Sequence, residues 1–297
     1  MEYNIKLSIA YDYESPAVGG RHLVCLMPLD RAEGQSVAHA ALKIEPSPAE
    51  RLDRRDFFGN QITEFAFRGA QTRIALHMTA RVTRSPAAPA PADPMSLAAL
   101  PQALAQCRDV GPLSPLHFLS PSIRVPRDPE MIAFAHDLTN PGLNILEAVL
   151  AIGRGLNKHI TFDAKATTVD TLTSEAFAKA RGVCQDYAHI MIACLRGIGV
   201  PAGYVSGYLR TLPPKGQLRL DGADAMHAWV RAWCGPQAGW VCYDPTNACF
   251  AGADHITAAH GRDYSDVAPV KGSLRTSGNQ KSGQAVDVVP LPNEMGE

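Results

Sequence analysis

The sequence has little that would direct it to a membrane or to a nucleic acid. No run of about eighteen apolar residues occurs, and the opening MEYNIKLSIA lacks the unbroken apolar core of a signal peptide. Its 28 lysines and arginines are balanced by 29 aspartates and glutamates, and the basic residues form no cluster. We therefore expect a cytoplasmic protein with no membrane and no nucleic-acid partner.

Cysteine spacing argues against a disulfide framework and against a metal site. The seven cysteines are an odd number, so at least one is unpaired in the monomer, which is typical of a reducing compartment. Neither a CxxC pair nor a tight HxxxH pair is present, although four potential ligands lie close in the chain: Cys242, Cys249, His255 and His260. We expect neither a metal nor an organic cofactor.

Apolar and polar residues alternate at the start of the chain. Residues 1–11 carry apolar side chains at the odd positions, which is the period of a half-buried strand. Shorter runs of the same kind occur around Leu42, Phe65 and Leu76, each bounded by glycine, proline or asparagine. Residues 1–84 are therefore predicted to form an all-β, sandwich-like domain.

The composition changes after this region. Residues 85–96 are rich in proline and alanine, which suits a semi-rigid extended linker. Residues 97–272 then show helical spacing, for example in GLNILEAVLAI, and form the predicted second domain. The Gly-, Ser-, Asn- and Gln-rich stretch 272–284 predicts a loop before a short strand at 285–290, so residues 273–297 are expected to form a C-terminal loop and strand.

The segment RGVCQDYAHI places a cysteine at the start of a helix. Apolar residues recur three or four positions apart after Cys184 and stop at Gly197. A thiol in the first turn faces free backbone N–H groups and the positive end of the helix dipole, both of which favour the thiolate. Gly182 allows a close approach of the chain there. A cysteine on such a helix is more often a buried core residue, so its role depends on its partners.

Two downstream segments supply partners. MHAWVRAW and GWVCYDPTN flank a Gly-Pro turn and predict an antiparallel hairpin. With a four-residue loop, Trp233 pairs with Ala238 and His227 stands directly opposite Asp244 on the same face. The carboxylate would hold one imidazole nitrogen and present the other. A one-residue shift would separate the two side chains.

A helix-start cysteine with a histidine and an aspartate on neighbouring strands has the arrangement of a covalent cysteine enzyme. The thiolate would attack an acyl carbon, the imidazole would carry the proton and the carboxylate would fix the tautomer. The backbone N–H of Cys184 is one candidate donor to the oxyanion. Taken singly, His227 also fits a satisfied core histidine, and Asp244 fits a turn cap before Pro245.

These three segments resemble the transglutaminase-like superfamily of cysteine enzymes, in the order Cys, His, Asp. The resemblance implies Cys184 as nucleophile, His227 as general acid and base, and Asp244 as orienting carboxylate. It also implies an α+β, papain-like core in which the nucleophile helix packs on an antiparallel sheet. The segment from Gln35 to Phe67 resembles the N-terminal β region of bacterial transglutaminase-like proteins.

Several residues near the predicted triad are candidate substrate contacts. Trp229, Tyr204, Tyr208 and Gln185 are assigned this role, although stacked tyrosines and tryptophans on strands most often pack in cores. At Arg231 the sequence differs from the superfamily that it resembles, whose members often have an acidic residue in the strand after the histidine. The arginine would change the charge near the cleft. The resemblance implies that the segment GRDYSDV (261–267) lines or closes the cleft, and its alternative is a surface turn.

The predicted function is hydrolysis of peptide or isopeptide bonds through a thioester, with a peptide or protein as the substrate. Acyl transfer to a primary amine uses the same triad and stays open, because water exclusion from the cleft decides between the two. A non-catalytic scaffold that binds a partner through the β region is the alternative from another class. The oligomeric state is left open.

Overall fold

The computed structural model describes residues 1–30, 34–85, 94–211, 222 and 224–292. The strands are β1 (Glu2–Val24), β2 (Gln35–Glu45), β3 (Glu50–Arg55), β4 (Gln61–Ala66), β5 (Gln71–Arg84), β6 (Thr161–Phe162), β7 (Arg181–Gly182), β8 (Ala202–Leu209), β9 (Ala225–Trp233), β10 (Trp240–Asp244), β11 (Cys249–Phe250), β12 (His255–Gly261), β13 (Val270–Arg275) and β14 (Gln280–Pro290). The helices are α1 (Leu100–Gln106), α2 (Pro129–Leu138), α3 (Ile145–His159), α4 (Thr173–Lys179), α5 (Cys184–Gly197) and α6 (Tyr264–Val267).

The N-terminal β region is built on β1, which serves two parts of one sheet. Its first half pairs with β5 and β14, and its second half pairs with β4 and β13. Pairing is irregular between Asp12 and Arg21, where Gly20 has a φ of +133° and a Cβ would lie 2.6 Å from the carbonyl oxygen of Ser273. β1 therefore bends at a glycine and the sheet curls. The predicted all-β character of this region is confirmed.

The predicted C-terminal loop is wrong. β13 and β14 run antiparallel along the edge of β1, with a turn at Gly278 between them, so most of residues 272–284 is strand. Polar, glycine-containing sequence has a low strand propensity, but the free edge of β1 supplies a complete set of backbone partners. The end of the chain thereby belongs to the N-terminal sheet. The predicted linker 85–96 lies mostly outside the described residues.

The second part of the chain is an α+β core, as predicted. Its sheet has the order β11-β10-β9-β8-β12 with antiparallel pairs, and α5 packs on β8 and β9 among α2, α3 and α4. Helix α5 buries Ile190, Ile192 and Leu195 completely, and each such side chain stabilises the fold by about 2 kcal/mol. This packing fixes the helix start relative to the strand ends, where the candidate site lies.

The N-terminal region covers the free edge of β12 with two side-chain amides. Asn60 donates from its amide to the carbonyl oxygen of His260 at 2.9 Å and accepts from the backbone N–H of the same residue at 2.9 Å. Gln35 makes the same pair of bonds with Thr257, each 2.8 Å long. Both amides are buried. They satisfy backbone groups that a neighbouring strand would otherwise satisfy, and they join the two parts of the chain.

The Asn60→Ala substitution should lower the free energy of unfolding by about 2 kcal/mol, because it leaves a buried N–H and a buried carbonyl of β12 without their partner. Urea unfolding measures this loss. Asn279→Ala, at an exposed position in the turn before β14, is the matched control and should leave the midpoint unchanged. Equal midpoints for wild type and Asn60→Ala would show that the Asn60 hydrogen bonds contribute nothing to stability.

Candidate active site

Cys184 is the first residue of α5 and is partly buried. The helix start is fixed by Asp186, whose Oδ2 accepts the backbone N–H of Val183 at 2.8 Å and the hydroxyl of Thr167 at 2.6 Å. A Cβ on Gly182 would lie 2.5 Å from the same oxygen, so only glycine fits before this turn. The predicted helix start and the predicted close approach at Gly182 are both present.

His227 and Asp244 meet, although the predicted hairpin register is wrong by two residues. Trp233 pairs with Trp240 rather than with Ala238, because the turn has six residues and includes Gly235 and Gly239 with φ of +98° and +63°. A two-residue shift keeps every side chain on its face. His227 consequently reaches Asp244 diagonally, and its Nε2 donates to Oδ2 at 2.7 Å.

Asp244 is fully buried and is surrounded by hydrogen-bond donors. Its Oδ1 accepts the backbone N–H groups of Thr246 at 2.9 Å and Asn247 at 3.1 Å. Its Oδ2 accepts from His227, from the side-chain amide of Asn247 at 2.7 Å and from His255 Nε2 at 3.1 Å. Burial alone would raise the pKa of this carboxyl, but the donors hold it well below its usual range.

The charge of Asp244 determines the state of His227. Burial alone would lower the pKa of His227, but the hydrogen bonds to Asp244 and Cys184 and the negative charges of both groups raise it to about 10. Because Nε2 is bound to Asp244, Nδ1 is the ring nitrogen left for the thiol. The three predicted triad residues are thus brought together with the carboxylate, the imidazole and the sulfur in sequence.

The predicted substrate contacts have different surroundings from one another. Tyr204 is buried beside the nucleophile, where burial and then the charge of Cys184 raise the pKa of its hydroxyl well above its ordinary value. Trp229 is completely buried and packs on His255. Gln185 is nearly buried and donates its amide to the carbonyl oxygen of Val169 at 3.3 Å. Among the three, Tyr204 is the side chain whose pKa is affected by the charge of Cys184.

The assignment of Tyr208 as a substrate contact is wrong. Its side chain is fully buried among the apolar residues of the N-terminal sheet, and its hydroxyl donates to the carbonyl oxygen of Leu26 at 2.5 Å. Tyr204 and Tyr208 have the same parity in β8, but Tyr204 packs in the helical core and Tyr208 packs against the N-terminal region. The alternation pattern could not show that the environment of one strand face changes along its length.

The Arg231 side chain is buried and is not in contact with solvent. Its guanidinium lies between two aromatic rings, 4.6 Å from the ring centre of Phe118 and 4.1 Å from that of Trp240. Such stacking stabilises a cation in an apolar setting. Direct contact of Arg231 with a substrate is therefore excluded in this conformation, and its predicted effect on the charge of the cleft stays a prediction.

The segment after β12 packs against α5. His189, five residues after Cys184 on α5, accepts the backbone N–H of Tyr264 at 3.2 Å, and its ring centre lies 5.1 Å from that of Tyr204. Burial lowers the pKa of His189 to about 4, against a smaller opposing effect of Asp263. The neutral imidazole therefore acts here as a hydrogen-bond acceptor that ties Tyr264 to α5.

Sequence reasoning missed His255 as a member of this group and considered it only as a metal ligand. Its position at the start of β12 is brought to Asp244 by the curvature of the sheet, which no local pattern reveals. Within the described residues, the ligand atoms of His227, Asp244 and His255 lie within 4.8 Å of one another. Each of them is engaged in hydrogen bonds of the group, so a metal ion would have to displace those bonds.

The fold and the site together define a papain-like α+β architecture with a cysteine, a histidine and an aspartate at the junction of helix and sheet. No helix among the described residues is long and apolar enough to span a membrane. None of the seven cysteines forms a disulfide. The class is thus given by a helix that begins at a cysteine and packs on an antiparallel sheet, preceded by a β-rich region.

Comparison with known proteins gives the family. A sequence profile of the transglutaminase-like superfamily matches residues 132–245, and one of the bacterial transglutaminase-like N-terminal region matches residues 3–83. An uncharacterized protein of Mycobacterium tuberculosis is 31% identical over 98% of this chain and 94% of its own length. The chain belongs to the transglutaminase-like superfamily, as the resemblance implied.

Two further comparisons concern one solved structure and one named enzyme. The crystal structure of a candidate cysteine protease from Cytophaga hutchinsonii has a TM-score of 0.75 at 22% identity and covers 100% of this chain and 92% of that protein. A protein-glutamine gamma-glutamyltransferase of Pseudomonas aeruginosa is 38% identical over 87 residues, which are 29% of this chain and 13% of that protein.

Cys184 should react with iodoacetamide at pH 6 at least about tenfold faster in the wild type than in His227→Ala, because the charged imidazole stabilises the thiolate. Alkylation of each cysteine is followed by peptide mass spectrometry. Cys107 lies outside the site and serves as the internal reference, whose rate the substitution should not change. Equal rates at Cys184 in the two proteins would contradict the ion pair.

His189→Gln should make the stability less dependent on pH. The pKa of His189 lies at about 4 in the folded protein and near 6.5 in the unfolded chain. The stability that its neutral form contributes is therefore complete above about pH 6.5 and is lost as the pH falls toward 4. Between pH 7 and pH 5 the wild type should lose about 2 kcal/mol more than the variant.

Urea unfolding at both pH values measures this difference. Glutamine can still accept the N–H of Tyr264 but has no proton to bind in this range. His136→Gln, at an exposed position of α2, is the matched control. If His136→Gln and His189→Gln had the same effect on the pH dependence, His189 would not be the buried neutral group described above.

Proposed function

We propose that this protein is a cysteine-dependent enzyme that cleaves amide bonds in peptides or proteins through a thioester intermediate. The observation that carries the proposal is the order of contacts at the start of α5, where Asp244 contacts His227 and His227 contacts Cys184. A buried carboxylate held by five donors orients the imidazole, and the imidazole has the charge that stabilises a thiolate. A scaffold without chemistry has no need of this arrangement.

In the proposed reaction the Cys184 thiolate attacks the carbonyl carbon of the substrate, and the carbonyl oxygen becomes an oxyanion. His227 then gives its proton to the departing amine nitrogen, the carbon–nitrogen bond breaks and a thioester remains on Cys184. A water molecule attacks the thioester while His227 takes its proton. The carbon–sulfur bond breaks, and a carboxylic acid and the thiolate are released.

Acyl transfer is the second candidate function. A primary amine in place of water would complete the same sequence and yield a new amide bond. The 38% identity of an 87-residue segment to the glutamyltransferase of P. aeruginosa supports this candidate. We propose the cytoplasm as the working compartment, because none of the seven cysteines forms a disulfide in the fold.

The test is mass spectrometry of a complex peptide mixture incubated with the protein and a labelled primary amine. New peptide termini are expected with the wild type, and they should be absent with Cys184→Ala, which removes the nucleophile. Cys242→Ala, which removes a buried thiol of the sheet interior, is the matched control and should retain the activity.

Each other outcome of this experiment changes the proposal in a defined way. Label on glutamine side chains, lost in Cys184→Ala, would replace hydrolysis by transglutamination. Identical spectra from wild type and Cys184→Ala would overturn the catalytic proposal and would favour a partner-binding scaffold.

A further inference from the structure

The Asp244 carboxylate lies between two imidazoles. The oxygen that accepts from His227 Nε2 at 2.7 Å also accepts from His255 Nε2 at 3.1 Å. Asp244 is 0% exposed and His255 is 5% exposed, so water does not compete for either group. His255 thus contacts the part of Asp244 that orients the candidate general base.

The tautomer of His255 follows from its other contact. The backbone N–H of Gly252 points to His255 Nδ1 at 3.2 Å, so this nitrogen accepts a hydrogen bond and carries no proton. The ring proton is therefore on Nε2 and is donated to Asp244. His255 is prepared by its own turn as a neutral donor to the carboxylate.

The contact requires a curled sheet. β10 and β12 are separated by β8 and β9, which in a flat sheet would place them about 14 Å apart. Gly207 on β8 makes the approach possible, because a Cβ there would lie 2.5 Å from the ring of Trp229. The Trp229 indole crosses this glycine and packs edge to face on His255, with 5.2 Å between the ring centres. Trp229, His255 and Gly207 form one packed unit.

We propose that His255 is a positioning residue of this site, which holds the Asp244 carboxylate in the orientation that aligns His227 with Cys184. The inference rests on the proposed function and deepens it, because it adds a fourth residue that touches no substrate. It also gives the buried Trp229, expected from the sequence to contact substrate, a different role as support for the His255 ring.

The charged groups around His227 and Asp244 make the orientation of the Asp244 carboxylate important. The titratable groups that face His227 are Cys184 on α5 and Asp244 on β10. Asp244 is also close to Cys249, its pairing partner on β11, and to Tyr243. Without the donor from His255, the oxygen shared with His227 would keep Asn247 as its other side-chain donor, and rotation of the carboxylate would become easier.

A pair of matched substitutions tests the role of the N–H group. His255→Gln places an amide N–H near the position of Nε2, whereas His255→Met has the same unbranched shape and no donor. Both remove Nδ1, the acceptor of the Gly252 N–H, and glutamine also brings an amide oxygen. The rate of Cys184 alkylation by iodoacetamide is measured in the full-length protein between about pH 5 and 9, together with thermal unfolding.

We expect His255→Gln to alkylate at a rate within about threefold of wild type, and His255→Met to be about tenfold slower at pH 6 with its pH midpoint shifted upward. Tenfold is about the smallest change that loss of one hydrogen bond to a charged group corresponds to. Equal rates in the two variants, whether both slow or both as fast as wild type, would overturn the positioning role.

This readout separates the inference from the proposed function, because alkylation needs no substrate. If wild type were no faster than His227→Ala, the proposed chemistry of the site would fail. If wild type were fast and dependent on His227 while the two His255 variants were equal, only the role of His255 would fail.

Discussion

The burial of one carboxylate governs the site. An ionised Asp244 with no exposed surface could not exist without partners, since the desolvation of an unpaired charge exceeds the stability of a domain. Its five donors come from the turn that follows it, from β9 and from β12. The carboxylate is thus satisfied only when three separate parts of the chain are in place. The arrangement of the candidate site around Asp244 therefore forms together with the fold.

The N-terminal β region also helps to hold the candidate site in place, through its contacts with β12. β12 begins with His255 and is the edge strand of the core sheet, so its free backbone groups need partners. Asn60 and Gln35 supply them. Tyr3 adds a hydrogen bond to Asp254, next to His255, at 2.9 Å. The two parts of the chain therefore share a strand edge, and the position of β12 depends on both. This gives the N-terminal region a physical reason to accompany the core.

The parts of the molecule that follow local rules were predictable. The alternating start of β1, the helix that begins at Cys184 and the face shared by His227 and Asp244 all have periods or boundaries that can be counted in the sequence. The pairing of residues 270–290 with β1 was not predictable, because it depends on a free edge that is more than 200 residues away. The six-residue turn between β9 and β10 shifted the register by two. His227 and Asp244 nevertheless share a face, as predicted, because strands have a period of two.

Three buried histidines show why burial does not identify a functional residue. Burial lowers the pKa of His189 to about 4 and that of His260 to about 3, and both rings are neutral. His227 is buried nearly as deeply, yet its pKa is raised to about 10. Desolvation acts in the same direction on all three rings, so the difference must come from partners. His260 lies near the Arg231 cation, whereas His227 lies between a carboxylate and a thiol. Direct hydrogen bonds to Asp244 and Cys184, added to their negative charges, distinguish His227 from His189, whose carboxylate neighbour Asp263 has only a smaller effect. These bonds, rather than the depth of the site, make His227 the imidazole that can hold a proton next to Cys184.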